Sequence, residues 1–309
     1  MNTSRRRNNY VFRLLPFVAL VGALAVAMFG APSTSANHPV LVEGNCDSPV
    51  PGTTIVDTGT CGDYDGDGRI GTAEDTDGAD RIFGTLAAAL GPGTGAAAGT
   101  GANQNGRIII VKSGRFTEFG LDPSTNSMLH INSSAHVQIE AAPGVEANID
   151  AVLQGDPAGG NNSRQEAIGI LISLTPNASV TLRNLTIRNF AIGVRQQGFG
   201  RLLVENCRVD NNRDFGLQIL NSSYLMLDQS QVTGTGRRVG TANNTTNFGH
   251  GIQLADGAGA LATNSLIFNS LRAGIQHLSP SNLGTFHLVM TANDGGDIVG
   301  PGPVVKANF

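Results

Sequence analysis

Four acidic side chains within a stretch of twelve residues form the clearest chemical pattern in the sequence. Asp63, Asp65 and Asp67 alternate with other residues along a glycine-containing turn, and Glu74 follows a few positions later. Calcium is a hard cation that takes about six to eight oxygen ligands, and alternating carboxylates followed by a glutamate can supply them around one turn. The pattern therefore predicts a calcium site, and the alternative is an acidic, glycine-rich linker.

The segment from Asp63 to Glu74 resembles the calcium loop of the EF-hand family. Gly68 stands at the position of the sharp turn, Arg69 would offer its backbone carbonyl oxygen to the metal, and Ile70 matches the apolar anchor. A proline and a run rich in threonine and glycine precede the loop, where an entering helix would lie, and the sequence contains no second copy. We therefore expect an isolated extracellular loop whose calcium ion stabilises the protein.

A short pattern returns four times between residues 178 and 278. Each copy has alternating runs of Val, Ile, Leu and Thr, and each ends in a glycine between apolar or compact neighbours: Gly193, Gly216, Gly251 and Gly274. These glycines are separated by 23, 35 and 23 residues, and the long step contains the polar insertion Arg237–Phe248. One copy cannot bury its own apolar side chains, so successive copies must stack as a solenoid.

These repeats resemble the right-handed parallel β-helix of the pectin-lyase-like superfamily. Asn184, Asn206 and Asn264 recur at one place, with Gln229 in the third copy, as in the asparagine ladder of that fold. The resemblance covers about residues 106–297. It implies an all-β, single-stranded right-handed parallel β-helix solenoid of about seven or eight coils.

The sequence before the repeats divides into three predicted segments. Residues 1–36 contain a basic start, an apolar run and a small-residue cleavage site, which predict a signal peptide; an uncleaved membrane anchor is the alternative. Residues 37–80 form a loop-rich segment that carries the predicted calcium loop. This segment also contains Cys46 and Cys61, which could form a small disulfide in an exported protein.

Residues 81–105 are predicted to form a short capping helix followed by a flexible Gly/Ala loop. The helix would place Ile82, Phe83, Leu86 and Leu90 on one face, and it would cover the open core of the first coil. The β-helix itself is then predicted to occupy residues 106–309. Within it, Cys207 is expected to be a buried, unreactive thiol.

Two side chains on the repeats resemble part of a hydrolase site. The stretch Phe248–Ile252, which contains His250, resembles the Gly-His-Gly signature of polygalacturonases, which are inverting glycosidases with carboxylates as general acid and base. Asp214 matches the first acid of the paired aspartates in that family, but Phe215 stands in place of the second. The alternative is a turn histidine beside a glycine that the solenoid requires.

A pectate-lyase site would need a calcium-binding group of carboxylates on the coils and a basic side chain that abstracts a proton. Asp210, Asp214 and Asp228 lie on neighbouring repeats, with arginines nearby in the sequence. Sequence spacing alone does not bring these side chains together. Solvated charges on the surface of a solenoid are the alternative.

Composition and charge narrow the functional classes. The net charge of −4 gives no argument for nucleic acid or for an anionic membrane surface, and the absence of tryptophan counts against a sugar-stacking platform. We expect a secreted, calcium-binding monomer without a membrane span after signal cleavage, which acts as a non-catalytic scaffold or binds extracellular polysaccharide or cell-envelope polymer. The alternative is a polysaccharide lyase or glycoside hydrolase of the pectin-lyase-like type acting on polyuronates.

Overall fold

The computed structural model describes residues 40–43, 81–83, 86, 90, 106–112, 114–116, 126–133, 136–141, 151–155, 168–237 and 248–307. The chain divides into two compact units, Met1–Asn37 and His38–Phe309, and all described residues belong to the second. The predicted signal peptide, the cysteine pair and the calcium loop lie outside the described residues. The described part of the chain contains no helix that is long and apolar enough to cross a membrane.

The described part of the second unit contains 24 strands. In chain order they are β1 (Val40–Glu43), β2 (Arg81–Phe83), β3 (Gly106–Lys112), β4 (Gly114–Phe116), β5 (Ser127–Ser133), β6 (His136–Ala141), β7 (Ala151–Gln154), β8 (Ile168–Leu174), β9 (Ser179–Arg183), β10 (Thr186–Arg188), β11 (Ile192–Gly198), β12 (Arg201–Glu205), β13 (Arg208–Asp210), β14 (Phe215–Ile219), β15 (Tyr224–Asp228), β16 (Gln231–Thr233), β17 (His250–Leu254), β18 (Gly259–Thr263), β19 (Leu266–Phe268), β20 (Ile275–His277), β21 (Leu283–Phe286), β22 (Val289–Thr291), β23 (Ile298–Val299) and β24 (Val304–Ala307).

These strands form three parallel sheets, which we name A, B and C. Sheet A has the order β2-β1-β3-β6-β9-β12-β15-β18-β21-β24, sheet B the order β22-β19-β16-β13-β10-β7-β4, and sheet C the order β23-β20-β17-β14-β11-β8-β5. From β3 onward the chain visits A, B and C in turn, so it completes seven coils by β23 and begins another with β24. The predicted parallel β-helix is confirmed.

Alternation along the strands of sheet A separates the core from the surface. In β12 and β15 the second and fourth residues point inward, and Leu202, Val204, Leu225 and Leu227 are all buried. In-register pairing stacks these residues on each other, so one apolar core runs through the described coils. Full burial of each such side chain contributes about 1.5–3 kcal/mol relative to exposure.

The corner between sheets A and B explains the recurring asparagines. Asn184, Asn206, Gln229 and Asn264 all have positive φ, between 48° and 56°, a left-handed conformation that asparagine tolerates better than most residues. Asn206 Nδ2 donates a hydrogen bond of 2.7 Å to Asn184 Oδ1. The asparagines therefore have a structural role in the turn, as expected from a stacked polar ladder.

The prediction that the capping helix begins at Arg81 is wrong. Arg81–Phe83 forms strand β2, which pairs in parallel with β1 and extends sheet A. Ile82 and Phe83 therefore do not lie on a helical face. Leu86 and Leu90 are helical, and both side chains are buried in the core.

Candidate functional site

The fold distributes the four candidate catalytic side chains over three sheets. Asp228 is the last residue of β15 in sheet A, and Asp210 is the last residue of β13 in sheet B. Asp214 immediately precedes β14 in sheet C, and His250 is the first residue of β17, its neighbour in the same sheet. Only Asp214 and His250 are therefore brought to the same face of the protein.

The two aspartates on the other sheets have local partners. Asp228 accepts hydrogen bonds from Thr263 Oγ1 at 2.6 Å and from Asn264 Nδ2 at 3.1 Å, both on the next coil. Asp210 lies 3.4 Å from a guanidinium nitrogen of Arg208 on its own strand. These contacts stabilise the corner and the surface of the solenoid. Asp210 and Asp228 lie on different faces from Asp214.

Asp214 is held by its neighbour in the chain. Arg213 Nε donates to Asp214 Oδ1 and Arg213 Nη2 donates to Asp214 Oδ2, each at 2.8 Å. Such a two-pronged contact fixes a carboxylate in both position and orientation. The Asp214 carbonyl oxygen also accepts a hydrogen bond from Gly249 N at 2.7 Å, which ties this turn to the coil that carries His250.

His250 is buried and neutral. Its Nδ1 accepts a hydrogen bond from Ala273 N at 3.2 Å, so the ring proton lies on Nε2. The Nε2 atom is buried and has no partner among the described residues. Burial, followed by the positive charge of Arg272, lowers the pKa of His250 to about 4. Near neutral pH, His250 is therefore a hydrogen-bond donor rather than a cation.

A small apolar cluster lies next to His250 on the outer side of sheet C and contacts it through Phe215. The Phe215 ring stacks on the imidazole with centroids 6.2 Å apart, and Phe248 meets Phe215 edge to face at 5.7 Å. Ile168, Leu171, Ala191 and Ile192 complete this cluster, which is separate from the core. Phe215, which replaces the second acid of the polygalacturonase pattern, thus packs against the histidine.

A row of hydrogen-bonded side chains crosses the outer face of sheet C next to this cluster. Arg195 Nε donates to Gln218 Oε1 at 2.6 Å, and Gln218 Nε2 donates to Gln253 Oε1 at 2.6 Å. Gln253 Nε2 then donates to Gln276 Oε1 at 2.7 Å. We call this row, which spans four successive coils, the amide ladder.

The direction of the amide ladder follows from its first member. A guanidinium group can only donate, so Gln218 must turn its oxygen toward Arg195 and its nitrogen toward Gln253, and the same holds along the row. Burial lowers the pKa of Arg195, and the negative charge of Asp214 opposes that shift. Gln253 and Gln276 are partly exposed, and each keeps an N–H donor and an oxygen lone pair for a ligand outside the sheet, whereas Gln218 is buried.

The repeated sequence contains a signal for this ladder that no single motif shows. Gln218, Gln253 and Gln276 each follow the repeat glycine by two positions, in Gly-Leu-Gln, Gly-Ile-Gln and Gly-Ile-Gln. Arg195 occupies the same place after Gly193. Recurrence of one polar residue type at a fixed offset in a solenoid predicts a row of side chains on one face.

The described residues contain no group of three or more His, Cys, Asp or Glu side chains placed to hold a metal ion. Asp210, Asp214 and Asp228 accordingly do not converge, and a carboxylate cluster of the pectate-lyase kind is not formed by these three. The predicted calcium ligands Asp63, Asp65, Asp67, Arg69 and Glu74 lie outside the described part of the chain, so that prediction stays a prediction.

Comparison with known protein families agrees with the architecture. A family profile described as "Right handed beta helix region" matches residues 167–294, and with the three parallel sheets it identifies the fold as a right-handed parallel β-helix. Among solved structures, pectate lyase Pel9A is similar over 86% of this chain and 80% of its own, with 10% identity and a TM-score of 0.39. No curated protein matches the sequence significantly.

Proposed function

We propose that this protein is a secreted, calcium-binding β-helix protein that binds an extracellular polysaccharide without cleaving it. The binding surface is the outer face of sheet C, and the observation that supports it is the amide ladder from Arg195 to Gln276. Secretion and calcium binding are supported by the N-terminal 36 residues and by the Asp63–Glu74 loop in the sequence.

The amide ladder has the chemistry that a sugar polymer requires. Sugar hydroxyls both donate and accept hydrogen bonds, and the two partly exposed ladder glutamines, Gln253 and Gln276, each have one group of each kind left over. Successive strands of a sheet lie about 4.8 Å apart, so the ladder repeats these groups at short, regular intervals along the coil axis. A polysaccharide lying along that axis would meet equivalent partners on the two adjacent coils that carry Gln253 and Gln276.

The arrangement of acids favours binding over cleavage. A glycosidase needs two carboxyl groups on either side of the scissile bond, at a separation of about 5–9.5 Å. Asp214 lies at this face with both oxygens engaged by Arg213, while Asp210 and Asp228 lie on the other sheets. His250 is buried and lacks a charge near neutral pH.

A binding assay on a panel of soluble polysaccharides, neutral and acidic, tests this proposal. The Gln253→Ala variant interrupts the ladder at its centre and should weaken binding about tenfold, because about 1.4 kcal/mol is lost with its hydrogen bonds. Gln231→Ala is the matched control, since Gln231 is an exposed glutamine on sheet B, and it should bind as the unchanged protein does. Equal binding by both variants, or no binding to any polymer, contradicts the proposal.

A second candidate function is a polysaccharide lyase or glycoside hydrolase that acts on polyuronates. One observation favours it: Asp214 and His250 lie on neighbouring coils of one face, where Arg195, Arg213 and Arg272 bring positive charge. Absorbance of unsaturated product and release of reducing ends from polyuronates, each with and without calcium, distinguish the two functions. Activity that is lost in Asp214→Asn would establish the enzyme and refute a purely binding role.

A further inference from the structure

Two adjacent strands on the outer face of sheet A share one pattern of charged and apolar residues. In β12 the outward residues are Arg201, Leu203 and Glu205, and in the adjacent β15 they are Tyr224, Met226 and Asp228. Each strand thus begins with a hydrogen-bond donor, has an apolar residue in the middle and ends with a carboxylate. In β6 (His136–Ala141), His136 and the buried Glu140 occupy the equivalent first and fifth positions, whereas β9, between β6 and β12, has Ser179, Thr181 and Arg183 at the outward positions.

The donors and apolar groups of this face are open to solvent. Arg201 is exposed and makes no ion pair or side-chain hydrogen bond within the described part of the chain. Tyr224 is 37% exposed. Leu203, Met226 and Leu261 are paired in register on three adjacent strands and are all partly exposed, so they form a continuous apolar row.

The charged and apolar residues of β12 and β15 are complementary to the same residues on a second copy of the protein. A two-fold axis parallel to the coil axis reverses the strand direction in the second copy, so the first residue of each strand meets the fifth residue of the same strand. Arg201 then faces Glu205, Tyr224 faces Asp228, and the apolar row faces its own copy. An isologous interface has this property, because every contact across the axis occurs twice.

We propose that the protein forms a two-fold symmetric dimer in which the outer faces of sheet A pack against each other. Packed sheets lie about 10 Å apart, which lets the row of Leu203, Met226 and Leu261 interdigitate across the axis. Arg183 approaches Glu205 through Oε2, so Glu205 Oε1 remains open to an Arg201 side chain from the second copy. This differs from the monomer expected from the sequence, and it is independent of the polysaccharide site on sheet C.

Charge reversal on each side of the proposed interface gives a specific test. Arg201→Glu places two carboxylates opposite each other in a homodimer, and Glu205→Lys places two cations opposite each other. Each variant alone should be monomeric in sedimentation or light-scattering measurements. A mixture of the two should form a heterodimer, since every rim contact then joins opposite charges.

Met226→Glu tests the apolar centre without changing the charged pairs, and it should also give a monomer. Gln253→Glu, on sheet C, is the control and should leave the dimer intact. Circular dichroism spectra that match that of the unchanged protein show that the variants are folded; if Glu205→Lys does not fold, Arg201→Glu and Met226→Glu still decide the question. A monomeric unchanged protein at all concentrations, or a dimer that survives Met226→Glu, overturns the proposal.

Discussion

A single glutamine inside the core offers a sharp test of the packing described above. Gln196 lies in β11 and pairs in register with Ile172 on one side and Ile219 on the other, both fully buried. Gln196 is itself fully buried, and neither its Nε2 nor its Oε1 has a hydrogen-bond partner among the described residues. Methionine has nearly the same length and shape without these polar groups, so Gln196→Met should stabilise the protein.

The size of the effect follows from the two unpaired atoms. A buried polar group without a partner costs about 1–3 kcal/mol, whereas a swap that preserves volume costs less than about 1.5 kcal/mol. We therefore expect the free energy of unfolding to rise by about 1–3 kcal/mol. For a domain of this size, each kcal/mol corresponds to a rise in Tm of about 2–4 °C.

Urea unfolding followed by circular dichroism, together with thermal melts, measures this change. The control is Gln218→Met on the next coil, where the amide accepts from Arg195 and donates to Gln253 on the outer face. That substitution removes two hydrogen bonds and should not stabilise the protein. Destabilisation by Gln196→Met would mean that the buried amide makes hydrogen bonds in solution, and it would refute the reasoning.

Three further predictions follow from individual residues. Gly216→Ala should lower the free energy of unfolding by about 1–3 kcal/mol in urea titrations, because its Cβ would lie 2.7 Å from the Gly251 carbonyl oxygen; Gly259→Ala, which meets the movable Tyr224 ring, should cost less. Burial raises the pKa of Cys207 to about 12, so mass spectrometry should find this thiol unmodified by iodoacetamide at pH 8 until the protein is unfolded. The pKa of His250 is about 4 when folded and 6.5 in its unperturbed state, so the unfolded chain binds the proton first. Stability should therefore fall as the pH drops from about 6.5 to about 4, and His250→Gln should reduce that fall in melts recorded against pH.

The coil architecture was predictable because its causes are local and repeated. Apolar alternation and a glycine at a fixed offset recur in each copy, and each copy is covered by an equivalent neighbour. The same regularity made the left-handed turn at Asn184, Asn206 and Asn264 readable from residue type alone. Strand β2 was missed because its partner β1 lies far upstream, and no local pattern around Ile82 and Phe83 reports a pairing over that distance.

The candidate site was only partly predictable, for a geometric reason. Asp210, Asp214 and Asp228 are close in sequence, but each coil turns through three sheets, so a few residues decide which face a side chain joins. His250 stacks on Phe215 from the preceding coil, and Phe215 in turn packs against Phe248 from the insertion. By contrast, three members of the amide ladder are visible in the sequence as glutamines two positions after Gly216, Gly251 and Gly274, although the row was not predicted.

Between Gly193 and Gly274, the connection that precedes β17 is the one described place where a coil contains extra residues. The coil containing Arg237–Phe248 is 12 residues longer than its neighbours, yet β17 joins β14 in the same one-to-one register in which β14 joins β11. Strands in a solenoid contact only adjacent coils, so the extra chain is absorbed at one corner. Segments of different length can therefore be accommodated between β16 and β17 while the register of sheet C stays constant.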